Sequence, residues 1–168
     1  MATLILKDTY EILEKEMESI NKLRSQTAIQ IQEAASHGDL KENYEYKAAK
    51  EKLEFVMYKK QLLQSHVPFK FIEYGEIDVE TVGFGNKVSI LEEGKDEPED
   101  YYLLGPIESE LDLYPLVVTY LAPFAKAMMG KKVNESFKIN FDGKDVEFKI
   151  ISIEKITAKT PKCERKSI

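Results

Sequence analysis

Apolar and small residues recur at Leu13, Met17, Ile20, Thr27, Ile31 and Ala34. The steps alternate three and four once Arg24 takes the seat between Ile20 and Thr27. That spacing keeps one stripe of a helix apolar along its whole length, the heptad seam of a coiled coil. Neither Gly nor Pro interrupts the run from Thr9 to Ser36. The spacing therefore predicts a helix over about 8–36, roughly 40 Å long at 1.5 Å per residue. A second seam runs through Tyr46, Ala49, Leu53, Val56 and Leu63, with Lys60 in the interrupted seat. Only the short stretch His37–Leu40 separates the two patterns. Helices joined so closely must return antiparallel, as an αα-hairpin. The third and fourth long helices of a bundle have no counterpart here, so a protruding coiled-coil hairpin is expected.

The period changes at Pro68. Phe69, Phe71, Ile72 and Tyr74 open a stretch of β character, broken at Gly75, Gly83 and Gly85. Strands are expected at 87–91, 100–104 and 115–121, and a short helix over 123–129 with Gly130 as its left-handed stop. Glu135–Phe141 and Lys144–Ile156 alternate apolar and polar residues about Asp142-Gly143, the strongest short hairpin signal. This half reads as a small antiparallel sheet with one helix across it. The fold class is α+β. Residues 1–75 are expected to form the coiled coil and 76–158 the globular domain, with 159–168 a frayed basic tail. The acidic loop from Glu92 to Asp100 reads as a solvated turn.

Charge sharpens this division. The chain of 168 residues carries a net −6. Residues 1–70 hold 11 Lys/Arg and 11 Asp/Glu, whereas 71–168 hold 13 and 19. A dense but balanced rod is what a solvated coiled coil requires. The overall charge argues against broad affinity for nucleic acid. One cysteine, Cys163, allows no disulfide within the chain, and His37 and His66 are too few for a histidine metal site. The apolar opening Met1–Leu6 is too short for a signal-peptide core and no apolar run reaches membrane-spanning length. A cytosolic protein without a membrane partner is expected. The seam can be satisfied within one chain, so a monomer is expected too.

The chemistry concentrates in Gly38-Asp39-Leu40-Lys41-Glu42-Asn43-Tyr44-Glu45-Tyr46, at the turn of the expected hairpin. Capping accounts for much of it. Gly38 can end the first helix, and Asp39 with Glu42 forms an Asp-x-x-Glu capping box for the second. Acidic residues in a first turn also suit the helix dipole. A second reading takes Asp39 and Glu42 as oxygen ligands carried at the end of a rod. Mg²⁺ often uses only one or two protein carboxylates. Beside a metal and phosphates belonging to another molecule, such a pair could hold a second ion for phosphoryl transfer. No Ser/His/Asp or Cys/His arrangement offers a nucleophile.

The stretch Gly38–Tyr46, followed by Ala48-Ala49-Lys50, resembles the signature of the bacterial GreA/GreB transcript cleavage factors, in its GreA form. Glu11–Met17 is similar to the family's first helix, and Val82-Gly83-Phe84-Gly85-Asn86-Lys87-Val88 to the start of its second domain. Ala122-Pro123 and Met128-Met129-Gly130-Lys131 resemble its Ser-Pro helix and Leu-Gly-Lys turn. The resemblance implies an antiparallel coiled coil followed by an FKBP-like domain. It implies binding at the secondary channel of bacterial RNA polymerase, the globular domain outside and the coiled coil reaching the active centre. The polymerase would then hydrolyse its own backtracked RNA at the 3′ end, the factor being an accessory and not an enzyme. On this resemblance Asp39 and Glu42 help position Mg²⁺ and water, the ion being held only together with the polymerase. Asn43 and Tyr46 support the turn, Lys50 belongs to a basic patch facing the RNA with Lys41 and Lys47 its neighbours by position only, and Glu108, Ala122 and Pro123 serve polymerase docking. The chain departs from the family at Ala122, at Arg24-Ser25 and around Glu108, where Gly105–Tyr114 looks rewritten.

Three other readings compete. A paralogue that enters the same channel without stimulating cleavage would carry altered acids, whereas Asp39 and Glu42 stand in the cleavage-type places. A prolyl isomerase would need Tyr101, Tyr102, Tyr114, Phe124 and Phe137 to line a pocket, where core packing is expected instead. A plain coiled-coil adaptor would give Asp39 and Glu42 no more importance than Glu18 or Glu54.

Overall fold

The computed structural model describes residues 2–36 and 44–156. The chain forms two compact units, Glu11–Val67 and the remainder, Met1–Tyr10 together with Pro68–Ile168.

The helical unit is built from α1 (Lys7–Ser36, whose first turn belongs to the other unit) and α2 (Tyr44–Gln64). The seams fall where the spacing puts them. Leu13, Ile20, Thr27 and Ala34 are buried on α1, and Ala49, Val56 and Leu63 on α2. Both interrupted seats are tolerated for a visible reason. Arg24 is exposed, and Lys60 is half-buried with its ammonium donating to Asn21 Oδ1 at 3.0 Å. Lys59 Nζ meets Glu16 Oε1 at 2.6 Å, while residues 30–34 of α1 and 45–52 of α2 line one groove. Contacts at both ends in reversed order make the pair antiparallel. Thr27 is wholly buried yet satisfied, because its hydroxyl donates to the Leu23 carbonyl at 2.7 Å.

The other unit centres on a five-stranded sheet in the order β5-β4-β3-β7-β6. Its strands are β3 (Asn86–Glu92), β4 (Glu99–Leu104), β5 (Val117–Thr119), β6 (Ser136–Phe141) and β7 (Lys144–Lys155). The Asp142-Gly143 turn joins β6 to β7 with φ of 48° and 82°, the left-handed pair that a two-residue hairpin loop requires. Between Ser89 and Ile90 the β3–β7 register shifts, leaving Ile151 as an extra residue. The inward set on β7 therefore runs Phe148, Ile150 and then Ile153. One helix, α4 (Pro123–Met128), covers the sheet and stops at Gly130 with φ 84°. Between them Phe124 meets Phe137 and Phe148 with ring centroids 5.6 and 5.2 Å apart, and Tyr101 at 5.3 Å. Tyr102 packs on Tyr114 at 5.2 Å. These rings pack against one another, as expected of a core.

The expected antiparallel sheet with a helix across it is present in β3, β4, β6, β7 and α4, and it is refined in three places. β5 joins β4 in parallel, because α3 (Pro106–Glu110) carries the chain back before β5 begins. That helix lies in the segment read as rewritten. Thr3–Leu6, which the sequence shows only as an apolar opening, forms β1 and pairs in parallel with β2 (Phe69–Ile72). This pairing draws the first ten residues into the sheet unit, so the compact units divide at Tyr10 and Pro68, whereas the sequence pattern places the division at 75. Gly105 is required where β1 passes, since a Cβ there would come within 2.5 Å of the Leu4 carbonyl oxygen. Among the described residues no helix is long and apolar enough to cross a membrane.

Candidate functional site

The helical unit presents the start of α2 to solvent. Tyr44, its first residue, is 84% exposed. Tyr46 is half-buried and lies one turn before the buried Ala49, on the seam face. Lys47 and Lys50 are both exposed and three residues apart, so their ammonium groups share an outward face. Glu45 turns the other way and lines a groove with Gln30, Glu33 and Ala34 of α1. The predicted residues Asp39, Lys41, Glu42 and Asn43 lie outside the described residues, as do His37 and Cys163. In sequence Asp39, Lys41, Glu42 and Asn43 fall in the link from Ser36 to Tyr44 between two antiparallel helices. Asp39 and Glu42 offer carboxylate oxygens, the donor type that Mg²⁺ takes, and two protein ligands leave its other positions open. Among the described residues, no group of three or more His, Cys, Asp or Glu side chains could hold a metal ion.

The predicted docking residues separate. Pro123 is exposed at the start of α4 and Ala122 is half-buried before it. Glu108 is corrected: none of its surface is exposed, so it offers no atom to a partner. It sits on α3 and turns back to accept the Gly105 N–H at 3.4 Å, with the Leu6 N–H as a further donor. Its second carboxyl oxygen has no hydrogen-bond partner among the described residues. Burial pushes its pKa up to about 8, against the opposing pull of those backbone donors. The role is internal: Glu108 ties the α3 turn to β1.

Sequence reasoning missed the polar cluster around this carboxyl. Tyr74 donates to Asp8 Oδ2 at 3.1 Å and is also hydrogen-bonded to Tyr114. Tyr114 is 2% exposed, and burial, then Glu108 and Asp8, push its pKa up to about 12. The Tyr74 hydroxyl is raised further, by burial first and then by Tyr114 and Asp8. Both phenols are therefore neutral hydrogen-bonding groups at ordinary pH. The available signal is three separated polar residues, which only the tertiary fold brings together.

Comparison with known proteins decides the family. The model described as transcription elongation factor, N-terminal, matches residues 3–67. That described as transcription elongation factor, GreA/GreB, C-term, matches 77–155. The chain belongs to the GreA/GreB family of transcription elongation factors. GreA of Thermodesulfovibrio yellowstonii is 35% identical over 146 residues, 86% of this chain and 91% of that one. GreA of Syntrophus aciditrophicus is 33% identical over 151 residues, covering 89% and 92%. A crystal structure of GreA factor homolog 1 (Gfh1) from Thermus thermophilus aligns at 19% identity and a TM-score of 0.42, covering 92% of this chain and 99% of that one. The first family segment spans β1 and both helices, and the second spans the five-stranded sheet. Proteins of this family are named as factors of transcription elongation.

Proposed function

We propose that this protein binds bacterial RNA polymerase through the secondary channel and stimulates the polymerase to hydrolyse backtracked RNA at its 3′ end. The observation that carries this reading is a family match over both halves of the chain combined with the acids Asp39 and Glu42 on the link between two long antiparallel helices. Two carboxylates alone do not make the preorganised surroundings that catalysis needs. Supplied to a polymerase that already holds phosphates and metal, they complete a site in trans. Asp39 and Glu42 would hold Mg²⁺ jointly with the polymerase, and that ion supplies charge neutralisation and a water of lowered pKa. The side chains' own part is to orient the ion and the water against the scissile phosphate. Asn43 and Tyr46 hold the link, and Lys41, Lys47 and Lys50 face the displaced RNA. Ala122 and Pro123 contribute to docking of the sheet unit. The protein acts as a cytoplasmic monomer.

The test is RNA cleavage in a stalled, backtracked polymerase complex with Mg²⁺. The unaltered chain shortens the RNA from its 3′ end. The double variant Asp39→Asn/Glu42→Gln binds the complex but loses about 100-fold or more of the stimulated rate. Cleavage that survives in the double variant overturns the assignment of the acids. Binding without stimulation by the unaltered chain favours a channel-binding regulator instead.

A further inference from the structure

Tyr44 is the most exposed large apolar or aromatic side chain among the described residues, at 84%. The helix period explains why it stays in water. Tyr46, Ala49, Val56 and Leu63 turn toward α1, and Tyr44 lies two residues before Tyr46, about 200° round the helix. Packing of the hairpin thus gives the ring no role. Capping gives it none either, since a phenol at the first helical position satisfies no backbone donor of its own helix. What accompanies the ring points outward as well. Lys47 follows one turn later and Lys50 one turn beyond, both exposed and, among the described residues, without an ion-pair partner.

An exposed aromatic face beside two exposed ammonium groups is the minimal surface for single-stranded nucleic acid. The ring stacks on a base and the cations meet phosphates. The surface is also bounded. Glu51, directly after Lys50, and Glu54 are exposed and would repel a phosphate chain, so the footprint ends at Lys50. Glu45, on the seam side, is directed into the groove with α1.

We propose that Tyr44 stacks on an unpaired base of the RNA strand on which the hairpin acts, while Lys47 and Lys50 hold the adjoining phosphates. This rests on the cleavage reading above and adds a residue to it. Tyr44 directly follows the acidic link in sequence. Stacking is indifferent to base identity and needs only a π face, which suits a factor that must act wherever a polymerase stalls.

The experiment uses the full chain in a stalled, backtracked polymerase complex at limiting factor concentration. The extruded RNA nucleotides carry either normal bases or abasic sugars. On base-bearing RNA, Tyr44→Ala lowers the cleavage rate about tenfold, within the range for loss of one stacked base, and Tyr44→Phe retains it. On abasic RNA the unaltered chain is slowed to the level of Tyr44→Ala, and the substitution has no further effect. Circular dichroism of Tyr44→Ala shows undiminished helix, because the ring is not part of the packing. An equal loss on both RNAs means that the ring meets a protein surface and overturns the proposal, as does no loss on either. Asp39→Asn/Glu42→Gln is run alongside. Stimulation that needs the acids but ignores Tyr44 overturns this inference alone, whereas no stimulation by the unaltered chain overturns both.

Discussion

The helical unit and the sheet unit solve the same problem with different means. In Glu11–Val67 a single stripe of residues on each helix supplies the interior, and the two seats that hold Arg24 and Lys60 stay at the margin where solvent or Asn21 satisfies them. Among the described residues of that unit, the long-range contacts are those that pair the two helices. In the sheet unit the interior is drawn from everywhere. Val82, Leu103, Met128, Phe137 and Phe148 share one core, and Ile5, Leu6, Asp8, Tyr74, Glu108 and Tyr114 come together from three distant segments. A periodic interior tolerates a polar interruption because each turn is independently solvated. A converging interior does not, so its polar groups must find partners within it.

The aromatic core offers the largest separation of the two units. Phe148 touches Phe124, Phe137 and Phe141. Phe148→Ala should cost about 3–5 kcal/mol. Hydrogen exchange should show lost protection in β3, β6 and β7 while the seam positions of α2 keep theirs. Equal loss in both units would show that their stabilities are not separable.

The next effect depends on pH. The Glu108 carboxyl rises from its ordinary 4.5 to about 8 on burial, so the folded protein holds that proton more tightly than the unfolded chain does. Its contribution is fully present below about pH 4.5 and is lost as pH rises towards 8, with a slope approaching about 1.4 kcal/mol per pH unit. Glu108→Gln keeps an acceptor for the Gly105 and Leu6 N–H groups and removes the titration. Its denaturation midpoints should be nearly flat between about pH 5 and 8, where the unaltered protein declines. A decline of the same size in the variant would assign it to other groups.

The smallest effect belongs to the helical unit. Lys59 and Glu16 lie 2.6 Å apart but keep 40% and 33% of their side-chain surface in water. Solvent screening limits such a pair, so Lys59→Ala should cost less than about 1 kcal/mol, and less again in high salt. A loss comparable to that of Phe148→Ala would mean that the hairpin relies on point contacts and not on its seam.

How legible each region is follows from the range of its interactions. Helix packing is written in residues three and four apart, so spacing alone places Leu13, Ile20, Thr27 and Ala34 in the interior. The Asp142-Gly143 hairpin is equally local, since two residues set the turn and strand alternation sets the register. The motif with Asp39 and Glu42 is readable as a run of residues, and its position between the helices follows from the two seams. The parallel pairing of β1 with β2 is not readable, because it joins Thr3 to Phe69 across the whole hairpin. The bulge at Ile151 is hidden as well, since it depends on what β3 presents opposite.

Local period and turn chemistry thus specify the two helices, their antiparallel return, the α+β division and the acidic link without reference to distant residues. The folded chain alone reveals that the first ten residues belong with the sheet and that Glu108 is interior while Tyr44 stands in water. Burial is a property of what packs against a side chain, and for these residues the partners, or their absence, arise from segments that no local pattern connects.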